Sequence, residues 1–146
     1  MKPSETKKTF INAYFHNYLV EKEYLNELIY KLDQIQSDCG SVHSPRYTGA
    51  RSNSVKNNDD ILASSITKIS NVKEQIEKQQ IRVNKLLKKH VKDISNVEKA
   101  NDRTVLRMYY LDGLSIEKIA DYMQRTATHV YKIKRHAEAD LYDKIN

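Results

Sequence analysis

The chain is poor in residues that interrupt helices and in residues that cross-link a fold. It contains three glycines, two prolines and no tryptophan among 146 residues, and Cys39 is its one cysteine. A single cysteine excludes a disulfide within the chain and fits a reducing cytoplasm. The scarcity of glycine and proline favours long helices with narrow apolar stripes over a thick hydrophobic core.

Long apolar segments are also missing from the sequence. No run approaches the ~20 consecutive apolar residues that a membrane-spanning helix needs. The polar start of the chain, residues 1–10, lacks the apolar stretch of a signal peptide. These absences predict a soluble, cytoplasmic protein with no membrane partner.

Basic residues outnumber acidic ones and are concentrated in two segments. The formal net charge is +6. Residues 68–92 hold eight lysines and arginines against two glutamates, and residues 125–137 hold four basic residues and no acidic one. Such a balance permits binding to nucleic acid or to an anionic membrane without proving either.

Helical periodicity dominates the first 95 residues. From about Thr9, a candidate N-cap, to Ser37, and again from about Asp59 to Ser95, apolar residues recur at steps of three and four. Neither helix can bury its apolar stripe alone. Residues 1–95 are therefore expected to form a long, coiled-coil-like helical hairpin, and the same stripe would equally serve as the interface of a homodimer.

The segment between these helices, residues 38–58, is rich in serine, asparagine and glycine, which predicts a flexible loop. Arg46, Tyr47 and Arg51 in this loop are candidates for contact with DNA or a protein partner. The more ordinary interpretation of the same residues is a solvated connector.

Three shorter helices are predicted in residues 96–146. The first covers Asn101–Leu111 and ends at a glycine, as helices commonly do. Ser115 is the expected N-cap of the second helix, Ile116–Met123. Thr126 is the expected N-cap of the third, which begins at Ala127, reaches about residue 144 and carries an apolar stripe opposite a basic face. A helix, a short turn and a longer basic helix together indicate a helix-turn-helix that places its last helix in the major groove of DNA.

The stretch from Asp102 to Leu141 resembles region four of bacterial sigma factors. In that pattern an apolar helix ends in a tyrosine and a glycine, and is followed by Leu-Ser, a glutamate, Ile-Ala, a Ser or Thr cap, a valine and a late Arg-Ala. The matching positions are Tyr110, Gly113, Leu114, Ser115, Ile119, Ala120, Thr126, Val130 and Ala137. Lys118 and His136 replace the glutamate before Ile-Ala and the arginine before the late alanine, and Glu117 and Arg135 each lie one place earlier. Combined with the long N-terminal helices, the unit is similar to small phage and prophage transcriptional regulators of the autolysin-regulatory, late-gene activator type.

The resemblance implies which residues would meet DNA. The start of the last helix would face the groove and its flanks would contact phosphates. The implied DNA-binding set is Arg125, Thr126, Ala127, Thr128, His129, Tyr131, Lys132, Lys134 and Arg135. Ala127, Thr128 and Tyr131 depart from the sigma pattern, so the expected target differs from the ordinary promoter element.

The sequence thus predicts an all-α protein in which a helical hairpin, residues 1–95, precedes a sigma region-four-like helix-turn-helix domain, residues 96–146. Its expected function is transcription regulation through double-stranded promoter DNA, in association with the nucleoid. The alternative is a regulator that binds RNA polymerase or a sigma factor without its own DNA specificity. Neither catalysis, nor a cofactor, nor a metal is expected, since no phosphate-binding loop, ligand spacing or nucleophile is present. His90, on the apolar face, is expected to be a core histidine.

Overall fold

The computed structural model describes the backbone of residues 3–41 and 58–146, and the side chains of residues 4–38 and 60–146. The described residues form helices joined by short turns and contain no strand, which confirms the all-α prediction. The helices are α1 (Pro3–Ser41), α2 (Asn58–Ser95), α3 (Ala100–Leu106), α4 (Ile116–Met123) and α5 (Ala127–Ile145), and one π-helical turn, Arg107–Leu111, continues α3.

The two long helices agree with the sequence pattern in their existence but not in every boundary. α1 begins at Pro3, where the fixed φ of proline suits a first helical position. Thr9 is therefore not an N-cap, and its hydroxyl donates to the carbonyl oxygen of Glu5 at 2.9 Å. α1 also continues to Ser41, past the predicted start of the loop at residue 38. Most of that loop lies outside the described residues, together with Arg46, Tyr47 and Arg51.

The chain divides into two compact units. The first unit consists of Met1–Glu21 and Val83–Asn146, and the second is Lys22–Arg82. The first unit therefore joins residues from both sides of the predicted boundary at residue 95. The assignment of separate roles to residues 1–95 and 96–146 stays a prediction. No helix in the described ranges has the length and the apolar character required to cross a bilayer.

The core of the first unit is built around aromatic residues of α1. Ile11 and Phe15 have no exposed surface. Phe15 stacks on Tyr110 with ring centroids 4.5 Å apart, and its ring lies 4.9 Å from that of His90. A stacked aromatic pair such as Phe15 and Tyr110 adds about 0.5–1.5 kcal/mol to the stabilisation from buried area alone. The first half of α1 is thus packed against both α2 and the helix that precedes the helix-turn-helix.

The second unit buries fewer side chains. Leu28 of α1 and Val72 of α2 are its buried apolar residues in the described part of the chain, and Gln79 of α2 is also buried. Many large apolar side chains of this unit remain exposed to at least two fifths of their surface: Tyr24, Ile29, Tyr30, Ile61, Leu62, Ile66 and Ile81. The narrow apolar stripe expected from the sequence is present, and much of it faces solvent.

The π-helical turn, Arg107–Leu111, changes which residues of the α3 region point inward. The backbone N–H of Asp112 donates to the carbonyl oxygen of Arg107 at 3.0 Å, five residues back instead of four. The wider turn accommodates one extra residue. As a result Met108, Tyr110 and Leu111 are all buried within four positions.

Candidate nucleic-acid interface

A small hydrophobic cluster fixes α4 against α5. Val105 and Met108 from the α3 region pack with Ile116, Ile119, Ala120 and Val130, all of them buried. Ala120 has a small side chain, which allows the two helices of the pair to approach closely. The cluster therefore fixes which face of α5 is buried and which face is left exposed.

Both predicted caps are present at the starts of these helices. The Ser115 hydroxyl oxygen accepts from the backbone N–H of Lys118 at 3.3 Å, and the Thr126 oxygen accepts from that of His129 at 3.2 Å. Each bond satisfies one of the N–H groups that a helix start leaves without a partner.

The turn between α4 and α5 depends on one residue in the left-handed region. Gln124 has φ 54° and ψ 45°, and the N–H of Arg125 donates back to the carbonyl oxygen of Ala120 at 2.9 Å. This arrangement closes α4 as a glycine would usually do. The turn brings Thr126 into position to begin α5 two residues later.

Most of the residues that the sequence places at the interface are exposed. They lie at the start of α5 and along the face opposite the hydrophobic cluster: Arg125, Thr126, Thr128, His129, Tyr131, Lys132 and Arg135. The side chains of Arg125, Lys132 and Arg135 make no hydrogen bond or ion pair within the described ranges. This face of α5 is called the α5 polar face below.

Two residues expected at the interface belong to the interior instead. Ala127 is half-buried and packs against the hydrophobic cluster, so its methyl group is directed to the core. The Lys134 side chain is 8% exposed; its Nζ lies 2.6 Å from Glu138 Oε1 and 4.4 Å from the centre of the Tyr109 ring. The expectation that Lys134 contacts phosphate was wrong, because its ammonium group is already paired and covered.

The partner of Lys134 is part of a larger buried network. The Tyr110 hydroxyl donates to Glu138 Oε1 at 2.6 Å and lies 2.9 Å from Asn12 Oδ1 on α1. Burial, followed by the hydrogen bond to the Glu138 carboxylate, raises the pKa of Tyr110 well above its ordinary value. The raised pKa favours the protonated hydroxyl, which is the form that donates to Glu138. The network ties α5 to α1 through a side chain of the π-helical turn.

A second polar contact ties α5 to the start of α3. Asp102 is buried, and its Oδ2 lies 2.5 Å from Nδ1 of His136, whose side chain is half-exposed. The acid also sits in the first turn of α3, where the helix dipole favours negative charge. Because Nδ1 is committed to Asp102, Nε2 is the ring nitrogen that remains for any other partner.

Helical spacing in the sequence predicts some of these buried contacts but not all of them. Val130, Lys134, Ala137 and Leu141 recur at steps of four, three and four, and that spacing indicates that Lys134 shares the apolar face. Glu138, four residues after Lys134, is the position from which a carboxylate reaches a lysine on the same helix. No local signal identifies Asn12 or Asp102, because their partners lie far away in sequence.

The polar groups of this surface can be described by their type. The described side chains contain no group of three or more histidine, cysteine, aspartate or glutamate residues placed to hold a metal ion. The α5 polar face offers hydroxyl, imidazole, ammonium and guanidinium groups. These are the groups with which proteins contact base edges and phosphates.

A family model described as a protein of unknown function, DUF1492, matches residues 39–142. The chain belongs to this family. The matched range covers all of α2, α3 and α4 and most of α5, so the α5 polar face lies inside it. No curated protein and no solved structure matches the chain.

Proposed function

We propose that this member of the DUF1492 family is a sequence-specific DNA-binding transcription regulator that places α5 in the major groove. The observation that carries the proposal is the α5 polar face. On it Thr128, Lys132 and Arg135 are exposed without partners in the described part of the chain, on a helix that is capped and packed on its other side. A rigid helix with unpaired polar groups suits the groove, whose width of about 12 Å admits an α-helix.

Different residues of this face have different roles in the proposal. The Thr128 methyl group contacts the methyl group of a thymine, and the Lys132 ammonium reaches the edge of a guanine. Arg125 and Arg135 contact phosphates, which position the protein without reading sequence. Tyr131, about half exposed, borders the face on the side of α1.

The proposal extends to assembly and biological role. Single modules of this size bury little surface on DNA and bind weakly. We propose that the long helices form a homodimer that brings two α5 helices to paired half-sites, and the exposed apolar side chains of the second unit support this assembly. The proposed setting is the bacterial cytoplasm, at promoters of phage or prophage late genes.

The first experiment is a selection of binding sequences from random duplex DNA with the purified full chain at physiological salt. We expect an enriched motif. A variant carrying Thr128→Ala and Lys132→Ala should lose it, since one good base contact contributes about 1–3 kcal/mol of discrimination. The matched control carries Thr67→Ala and Lys68→Ala, an exposed Thr and Lys on α2, and should keep the motif.

The proposal fails if folded protein enriches no motif, or if the α5 variant selects the same motif as the control. In the first case the competing function, binding to RNA polymerase or a sigma factor without DNA specificity, would be tested by pull-down with purified polymerase. A loss of affinity that is equal on selected and random DNA would reassign Lys132 to a phosphate.

A further inference from the structure

The α5 polar face is bordered by a hollow on each side. One hollow, of about 590 Å³, lies between the first turns of α1 and the middle of α5, and is called the α1 hollow. The other, of about 500 Å³, lies between the start of α3 and α5, and is called the α3 hollow. Both belong to the first compact unit. Of the residues assigned to base contacts above, Thr128 lines neither hollow and Lys132 lies at the edge of the α3 hollow.

Two of the cations at the α1 hollow form no ion pair in the described part of the chain. Its walls include Lys8 from α1 and Arg135 from α5, and neither makes an ion pair in the described ranges. The other two lysines at this hollow are already paired, Lys7 with Asp143 at 2.9 Å and Lys134 with Glu138 at 2.6 Å. Glu5 also lines the hollow, at its α1 side.

The first turns of α1 are held at this position by specific contacts. In addition to the ion pair between Lys7 and Asp143, the ring of Phe10 meets that of Tyr142 edge-on with centroids 5.1 Å apart. Lys8 is therefore presented beside α5 by an anchored helix. An anchored lysine loses less conformational entropy on binding than one on a mobile segment would.

The α3 hollow has the same electrostatic character. Lys99, His129, Lys132 and His136 line it, and its one acid is Asp102. That carboxylate is buried and bonded to Nδ1 of His136, so Nε2 is the ring nitrogen that remains for another partner. Lys99, the residue that precedes α3, is exposed, and its side chain makes no hydrogen bond or ion pair in the described part of the chain.

The dimensions of a helix and of a DNA groove explain why two such hollows flank one helix. An α-helix with its side chains is about 10–12 Å across, close to the width of the major groove. A helix seated in the groove therefore has one phosphate backbone on each side. On α5 the spacing of residues places Tyr131 and Arg135 toward the α1 hollow, and His129 and His136 toward the α3 hollow, with Thr128 between them.

We infer that the two hollows seat the two phosphate backbones that border the groove, and that Lys8 of α1 and Lys99 before α3 are phosphate contacts on opposite strands. This inference rests on the proposed function and adds to it two residues outside the helix-turn-helix pair. It gives the N-terminal helix a direct part in DNA binding. Sequence spacing cannot suggest this for Lys8, which lies more than 120 residues from Arg135.

The test compares Lys8→Ala and Lys99→Ala with Lys31→Ala in the full chain. Lys31 is an exposed lysine of α1 in the second unit, so the control removes the same charge elsewhere. Affinity is measured over a salt series on the selected duplex and on a random duplex. Each hollow variant should lose roughly five- to tenfold in affinity at about 0.1 M salt, and the salt slope should flatten by about 0.9, the effect of one lost phosphate contact.

The losses should be the same on selected and random DNA, because phosphates carry no sequence. Neither lysine has a partner in the described structure, so thermal unfolding of both variants should match that of the control. If either variant binds DNA with unchanged affinity, the inference that both hollows contact phosphate backbones is overturned, while the proposed function stands. Failure of the unmodified chain to bind either duplex overturns the proposed function and this inference together.

Discussion

His90 occupies the centre of the aromatic core of the first unit with 2% of its surface exposed. The rings of Tyr14, Phe15 and Tyr18 surround it at centroid distances of 4.6, 4.9 and 5.8 Å. Neither ring nitrogen has a hydrogen-bond partner. Burial first, and then the neighbouring charge of Lys89, lower the pKa of His90 below its usual 6.5, against the smaller opposing effect of Asp93.

This environment predicts a loss of stability in acid. The folded chain keeps His90 neutral at pH values at which the unfolded chain already binds a proton, so unfolding is favoured as the pH falls below about 6.5. The loss can reach about 1.4 kcal/mol for each pH unit until the folded-state pKa is passed. His90→Leu should remove this part of the pH dependence and leave stability at pH 8 equal or higher, because it also removes two unsatisfied polar atoms.

The measurement is denaturant unfolding at pH 8.0 and at pH 5.5. We expect the free energy of unfolding of the unmodified chain to be lower at pH 5.5 by about 1 kcal/mol. His16→Leu, an exposed histidine of α1, is the control and should retain the pH dependence of the unmodified chain. If His90→Leu and His16→Leu lose stability in parallel on acidification, His90 is not the group responsible.

The residues of α5 illustrate which features of a site a sequence can predict. The exposure of Thr128, Lys132 and Arg135 follows from helical spacing, and the structure confirms it. A basic residue on a surface helix is expected to face solvent, and for Lys134 this expectation is wrong. Its position among Val130 and Ala137 on the apolar stripe was the better guide. A buried lysine requires a paired carboxylate, and Glu138 provides it.

At the scale of elements, the turns determine how α4 and α5 begin and end. Gly113 and Gln124 both have positive φ, 70° and 54°. The two sites differ in residue type, since an L side chain in this region costs about 1–2 kcal/mol and glycine avoids that cost. The turn before α4 thus has a glycine, Gly113, at the position with positive φ. The turn before α5 has Gln124 there, so its backbone is strained.

Opposite substitutions at these two turns should have opposite effects. No atom lies within 4 Å of a Cβ added to Gly113, so Gly113→Ala tests backbone conformation alone and should destabilise the fold by about 1 kcal/mol. Gln124→Gly should stabilise it by about 0.5 kcal/mol, after the added flexibility of the unfolded chain is counted. Thermal unfolding of both variants and of the unmodified chain measures the two changes in stability. If both variants are stabilised, or both are destabilised, the explanation is contradicted.

The elements themselves were predictable to different degrees. The predicted bounds of α4, residues 116–123, and the predicted start of α5 at Ala127 agree with the structure to the residue. A Ser or Thr cap and an apolar stripe specify these positions locally. The π-helical turn was not predicted. Its wider geometry is favoured by distant packing of Tyr110 on Phe15 and Glu138, and a local pattern does not contain those contacts.

At the scale of the whole molecule, the proposed homodimer yields a prediction for the second unit. Leu62 and Ile66 lie one turn apart on α2 and are 48% and 58% exposed. Replacing both with aspartate should convert the dimer to a monomer, because two charges would be buried in an apolar interface. Ser64→Asp, on another side of the same helix, should leave the dimer intact.

Light scattering at high micromolar concentration distinguishes these outcomes. A monomeric unmodified chain at that concentration would exclude the dimer. If the dimer forms, the selected DNA should contain two half-sites with centres about 34–36 Å apart or a multiple of this distance.

The discontinuous first unit has a consequence for synthesis. Ribosomes add about 5–20 residues per second, so Phe15 emerges roughly 5–20 s before Tyr110, the residue that covers its ring. During that interval the intervening, contiguous unit can already close. The ring of Phe15 therefore stays without its stacking partner until Tyr110 has been made. A message truncated upstream of Tyr110 would yield a product in which the ring of Phe15 lacks this cover.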